Sequence, residues 1–168
     1  MINNAYLILK SKTHGTIKSN STQRGREGYI ALVEVNHELI SPRDMVTGRA
    51  SGRRQHKFIS ITKEIDNTTP VFNQLLVQNI EIEEANLLFF GPSQVMGIGF
   101  AAGAERLLYS IKLKNAFIAK IGITLHNLQK PQENQPVFVE NISLVYQKIE
   151  WVWAQGNISA IDEWGGAV

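Results

Sequence analysis

A chain of 168 residues fits one domain, taken here as 1–168, since domains run to about 100–200 residues and bury roughly 70% of their unfolded surface at this size. Hydrophobic residues make up 43% and cysteine is absent, which excludes disulfides, thiol nucleophiles, iron–sulfur clusters and thiolate zinc sites. The 17 basic and 15 acidic residues leave a net charge of +2, too mild for a nucleic-acid footprint over the whole surface.

Met1-Ile2-Asn3-Asn4 has neither the basic start nor the apolar stretch of a secretory leader. No run approaches the about 18 apolar residues of a membrane span. The expectation is a chain made as a soluble cytosolic protein that leaves the cell, if at all, by a route reading no cleavable leader.

Along the chain, period-two alternation dominates. In the first such run Tyr29, Ala31, Val33 and Val35 share one parity, and Ile30, Leu32, Glu34 and Asn36 the other. A long connection from Ser41 to His56 follows, with Pro42, Gly48 and Gly52 and no hydrophobic period. Connections beyond about 12–15 residues are uncommon unless functional or disordered. This one holds Arg43, Arg49, Arg53 and Arg54, with Lys57 just beyond and a single acid, Asp44. Aromatic platforms for nucleic acid are missing among these cations, so a charged docking loop for a protein neighbour is the economical reading.

Lys57 to Lys63 alternates again, with Ile59 and Ile61 on one side. One helix is then signposted: Thr69 as N-cap, Pro70 at the first helical position, and Val71, Phe72, Leu75 and Leu76 as an apolar stripe. Val77 falls off that stripe, Asn79 ends the helix, and Ile80-Glu81-Ile82-Glu83 returns to alternation.

Leu87 to Phe90 reads as a strand, and Gly91 to Gly103 is rich in small residues yet apolar through Val95, Met96, Ile98 and Phe100. The longest alternating run, Pro136 to Trp153, carries apolar residues on both parities: Val139, Val145 and Ile149 on one, Ile142, Leu144 and Tyr146 on the other. β-branched and aromatic residues suit a pleated, half-buried surface. Two-sided strands of this kind need a barrel or sandwich core on one face, and a partner subunit is a natural cover for the other.

Catalytic and metal patterns are weak. His14, His37, His56 and His126 show no helical metal spacing, and His37-Glu38 does not extend to H-E-x-x-H. Glu83-Glu84 and Asp162-Glu163 are neighbours that point to opposite faces of a strand, so neither forms a general acid/base pair. Gly97-Ile98-Gly99-Phe100-Ala101-Ala102 fits the dinucleotide fingerprint, and Ala101 to Leu108 is compatible with a following helix. The confirming acid about 20 residues on is missing between Asn115 and Leu125, which favours an apolar hairpin tip over a ligand-binding or enzymatic barrel. The N-x-S/T triplets at Asn20, Asn67, Asn141 and Asn157 have no secretory context to make them acceptors.

Ser51-Gly52-Arg53-Arg54-Gln55-His56-Lys57 followed by Ile61-Thr62-Lys63-Glu64-Ile65-Asp66 resembles the hallmark segment of the Hcp family of bacterial type VI secretion systems. Thr68-Thr69-Pro70 resembles the start of that family's short helix, and Leu144 to Trp151 its late strand. Gly156-Asn157-Ile158-Ser159-Ala160 and Asp162-Glu163-Trp164 are similar to its close. The likeness runs from about Tyr6 to Trp164 in the family's own order. It implies an all-β fold, a two-sheet β-barrel or sandwich with one short flanking α-helix, assembling into hexameric rings.

The resemblance further implies a non-enzymatic tube subunit with no cofactor and no metal. Its implied partners are copies of itself, a VgrG-type spike, a contractile sheath and effector proteins in the lumen, with no nucleic acid and no membrane span. Arg43, Asp44, Arg49, Arg53, Arg54, His56 and Lys57 are then expected in the ring-stacking loop. Thr69, Pro70, Val71, Phe72, Leu75 and Leu76 are expected at an interface within the ring. Gly91 to Gly103 departs from the polar hairpin expected there, and only Gly165-Gly166-Ala167-Val168 follows Trp164, so no fused toxin domain is expected.

Overall fold

The computed structural model describes residues 4–92, 105–126 and 138–165. Its strands in chain order are β1 (Asn4–Ser11), β2 (Gly15–Ile17), β3 (Ile30–Leu32), β4 (Glu34–Asn36), β5 (Leu39–Ile40), β6 (Gln55–His56), β7 (Ile59–Glu64), β8 (Ile82–Pro92), β9 (Glu105–Leu125), β10 (Phe138–Trp153) and β11 (Ile158–Glu163). The one helix among the described residues, α1 (Thr69–Val77), lies between β7 and β8. Every ladder is antiparallel. The main sheet runs β2-β1-β8-β9-β10-β7-β4, with β3 also on β1 and β11 also on β10. The Ala101–Leu108 stretch is no helix where it is described, because Glu105 onward pairs with β8.

The β9–β10 hairpin does most to turn this sheet into two layers. Its register runs from Phe138↔Leu125 to Trp153↔Tyr109 and slips between Ser143 and Leu144. Ser143 opposes Lys120 and Leu144 opposes Ile118, so Ala119 is the extra residue of a bulge, a device that bends a strand and raises its twist. Inward-facing positions on β10 also change parity, from Ile142, Leu144 and Tyr146 to Ile149. One half of the hairpin therefore lies with β7 and β4, and the other with β8, β1 and β11. Leu7, Leu87, Leu113, Ile59, Ile61, Ile142 and Ile149 fill the space between, each 0–1% exposed. Burial of each such side chain contributes about 1.5–3 kcal/mol relative to exposure.

The run from Tyr29 to Asn36 is not one strand. Ile30 is buried, Leu32 and Val35 pack against the core, and Val33 between them is 50% exposed. Ile30 to Leu32 pair with β1 and Glu34 to Asn36 with β7, while the Val33 N–H reaches the Thr62 carbonyl at 2.8 Å. Two neighbouring layers compete for this segment, and the break lets each take half. The ladder among the described residues does not close into a ring, so the sandwich form of the expected fold applies, not the barrel.

Helix α1 packs Phe72 and Leu75 into the core with Val71 and Leu76 at the margin, and Val77 is 80% exposed. Its N-cap is Thr68, one residue before the expected Thr69, and no side chain caps it. Asp66 explains the shift: its carboxylate accepts from the Thr68 N–H at 2.8 Å and from the Thr68 hydroxyl at 2.6 Å. Thr69 turns inward, donating to Glu140 at 2.7 Å. At the far end Asn79 adopts a φ of 50°, a left-handed value asparagine tolerates, and the Ile80 N–H returns to the Leu75 carbonyl.

Under the helix start lies an ion pair that packing alone does not require. Lys63 Nζ, on a side chain 1% exposed, sits 2.6 Å from Glu140 and 2.8 Å from Asp66, and donates to the Glu64 carbonyl. Burial opposes the charge on Asp66, yet hydrogen bonds from Lys63 and Thr68 hold its carboxyl below the ordinary range. The cluster joins β7, β10 and α1.

Candidate assembly interface

The connection read as irregular from Ser41 to His56 is a hairpin. β5 and β6 pair Leu39 with His56 and Ile40 with Gln55, and further out Arg43 bridges Ala50. Ser51 donates to the Pro42 carbonyl and Asp44 to the Arg49 carbonyl. At the tip one Asp44 oxygen accepts from the Thr47 N–H at 2.7 Å, the Thr47 hydroxyl at 2.9 Å and the Val46 N–H at 3.0 Å. Those donors, Thr47 foremost, hold the Asp44 carboxyl below its ordinary range. Gly48, at a φ of +69°, closes the turn in a conformation that a β-carbon disfavours.

This turn puts Met45 and Val46 outside, 96% and 93% exposed. Reasoning from charge had passed over them. The available signal was an apolar pair inside an Asp-x-x-Thr-Gly turn, where composition calls for polar residues. Arg43, Arg49, Arg53 and Lys57 are exposed and make no ion pair among the described residues, so the hairpin is an apolar tip on a cationic stem.

Arg54 and His56 turn the other way. Arg54 holds both carboxylate oxygens of Asp162 on β11, with Nη2 2.6 Å from Oδ1. The His56 side chain is 2% exposed, its Nε2 2.9 Å from Asp162 Oδ2 and its Nδ1 2.8 Å from the Tyr146 hydroxyl. Trp164 stacks on that imidazole with centroids 5.6 Å apart, and the Trp164 N–H donates to the Gln147 carbonyl at 2.7 Å. His37, just before β5, brings Nε2 to 3.3 Å from the same hydroxyl and stacks on Trp151 at 6.0 Å.

Electrostatics follow from these contacts. The Arg54 hydrogen bond, working against burial, lowers the Asp162 carboxyl to about 2. Burial first and the Asp162 charge second push the Tyr146 phenol up to about 12. Burial, with the neighbouring His56, lowers His37. Three strings that lie far apart in sequence (Arg54 to His56, Tyr146, and Asp162 to Trp164) therefore meet as one clasp at the root of the hairpin.

The helix residues expected at an interface divide differently. Thr69, Phe72 and Leu75 are committed to the protein's own core, Val71 and Leu76 are half-buried, and Pro70 is exposed. The Gly97–Ala102 pattern lies outside the described residues. Among the described residues no group of three or more histidine or acidic side chains is placed to hold a metal ion, and no helix is long and apolar enough to cross a membrane.

Comparison with known proteins bears on this arrangement. The family model described as "Type VI secretion system effector, Hcp" matches residues 6–153. The "Major exported protein" of Pseudomonas aeruginosa PAO1 is 30% identical over 149 residues, covering 89% of this chain and 83% of that protein. Among solved structures, Hcp1 from Escherichia coli EAEC 042 is 28% identical, with a TM-score of 0.81 over 96% of this chain and 98% of that one. A crystal structure of an Hcp protein superposes with a TM-score of 0.86 at 23% identity, covering 99% of this chain and 100% of its own. A sandwich with one helix, and a hairpin clasped by residues of the resembling strings, accompany a family match across most of the length: the chain belongs to the Hcp family of type VI secretion proteins.

Proposed function

We propose that this chain is a structural subunit of the type VI inner tube, closing into hexameric rings that stack and are expelled with a VgrG-type spike at the tip. A contractile sheath drives the expulsion, and effector proteins ride in the lumen. No catalytic step is required of it. Family membership supports export, and the observation that carries the stacking role is the stitched hairpin with Met45 and Val46 standing in solvent at its tip. Two fully exposed apolar side chains on a rigid arm are costly to leave in water and favour a surface to press against.

A ring closes when two different patches are related by a rotation that returns to its start, whereas ring-on-ring contact is heterologous and open, giving a filament. In this reading sheet faces and the exposed side of α1 build the ring, and the hairpin contacts the next layer. Arg43, Arg49 and Arg53 add exposed ion pairs, each worth about 0–1 kcal/mol, so stacking depends on many contacts acting together. The test reverses charge at Arg43, Arg49 and Arg53 while leaving Arg54 on Asp162. Rings persisting by light scattering while secretion falls is the expected result; undiminished secretion removes the stem from the mechanism.

A further inference from the structure

The clasp at the hairpin root contains more hydrogen-bonding logic than anchoring needs. Asp162 is held ionised by Arg54 and so accepts only. His56 Nε2, 2.9 Å from it, must therefore carry a proton. A neutral His56 then has a bare Nδ1, which takes the phenolic proton of Tyr146 at 2.8 Å. The phenol oxygen keeps its lone pairs for a second donor, and His37 Nε2 lies 3.3 Å away to supply it. With both imidazoles neutral, every polar atom on this line has a partner.

One added proton is also accommodated. On His56 Nδ1 it reverses the line: His56 donates to the phenol oxygen, and the phenol turns its hydrogen to a His37 Nε2 freed by a change of tautomer. On His37 it leaves the neutral pattern intact. Two added protons cannot be accommodated, because both rings then donate to one oxygen whose own hydrogen has no acceptor, and two cations share one buried hydroxyl.

We propose that His37, Tyr146, His56 and Asp162 form a proton rack that holds one added proton and not two, so that a second proton expels His37 and loosens the root of the hairpin. His37 lies two residues before β5 and His56 ends β6, so the rack spans both ends of the arm. The charged and titratable groups around it are Arg54, Glu38, Lys57, Asp162 and the two histidines. Glu38 and Lys57 line the solvent-facing pocket beside His56 and Trp164. The sign is fixed by His37, which burial and His56 hold below the ordinary imidazole range around 6.5. The loosened form binds the proton more readily, so acid below that range favours opening. The rack stands on its contact geometry together with the lowered His37; only its consequence for assembly rests on the tube reading.

Side-chain nitrogen NMR of the purified protein tests this, comparing wild type with His37→Gln and Tyr146→Phe. Two imidazole steps separated by about 1 pH unit or more are expected from the rack in wild type. In His37→Gln, which keeps a donor to Tyr146 but cannot charge, the lower step should vanish. Deuterium exchange in residues 38–57, corrected for intrinsic rates, should accelerate across the lower step in wild type and not in His37→Gln. Independent titration of the two rings, or pH-insensitive exchange in that segment, overturns the proposal. If Tyr146→Phe does not fold, the His37→Gln comparison decides alone. Ring formation is scored separately, so failure of the rack and failure of the tube reading give different results.

Discussion

Arg54 grips both carboxylate oxygens of Asp162 across 108 residues of chain, fastening the stem of the hairpin to the last strand. β11 has no other sheet neighbour than β10 among the described residues, and Ile158 and Ile161 on it are 68% and 56% exposed. With so little apolar burial of its own, the strand depends on its ladder and on this clasp. Replacing Asp162 with Asn is therefore expected to raise deuterium exchange in residues 158–164 and 54–57 together while the core strands keep wild-type protection. Exchange rising in only one of the two segments would show that the clasp does not couple them.

Acid should reach the same clasp by another route. The Asp162 carboxyl stands at about 2 in the folded protein against an ordinary 3.8. Its contribution is complete above about 3.8 and disappears as pH falls through the folded value, because the unfolded chain takes up the proton first. Asp66, also held low, adds in the same direction. Near-ultraviolet circular dichroism should report a loss of tertiary signal between about pH 4 and 2. Arg54→Ala, which removes the main pull on Asp162, should make stability less steeply dependent on pH in that window.

Period-two alternation was enough to place Ile59 and Ile61 on one face, and helical spacing to put Val77 off the apolar stripe, since both follow from local geometry. The break at Val33 was not legible, because it arises from competition between β1 and β7, and nothing within residues 29–36 records two suitors. The clasp escaped for a related reason: His56, Tyr146 and Asp162 are unremarkable alone and become a site when the fold brings β6, β10 and β11 together. Lys63 shares the parity of Ile59 and Ile61, but its burial depends on Glu140, 77 residues away. The tip was missed because arginines on the stem drew the reading toward charge, although Met45 and Val46 stood in the sequence.

That buried lysine gives a quantitative test. Glu140 is 0% exposed; its Oε1 accepts from Lys63 and Thr69, and its Oε2 has no hydrogen-bond partner among the described residues. Removing one member of a buried pair strands the other charge and costs about 3–5 kcal/mol, whereas replacing both with apolar groups is often neutral. Lys63→Met should lower stability by that amount in urea unfolding. Lys63→Met with Glu140→Leu should recover most of the loss, and a double variant no better than the single one would refute the pairing account.

Helix α1 separates core from surface within five residues. Phe72 is 1% exposed and Val77 80%. Phe72→Ala should cost about 3–5 kcal/mol through lost transfer energy and a residual cavity. Val77→Ser should change stability by less than about 0.5 kcal/mol. If Val77→Ser nonetheless breaks rings apart at unchanged monomer stability, the outer face of α1 belongs to the ring contact.

The hairpin tip offers the sharpest separation of assembly from folding. Met45 and Val46 touch nothing that their loss would leave unsatisfied, while the turn beneath them is held by Asp44, Thr47 and Gly48. Met45→Ser with Val46→Ser should leave stability within about 0.5 kcal/mol of wild type, as surface changes generally do. Asp44→Ala should instead loosen the turn while keeping both apolar side chains. If the tip presses on a neighbouring ring, both variants lose stacked rings in electron micrographs, the first because the contact is gone and the second because it is no longer presented. If charge on the stem alone drives stacking, the serine variant stacks like wild type, and the tip is dispensable.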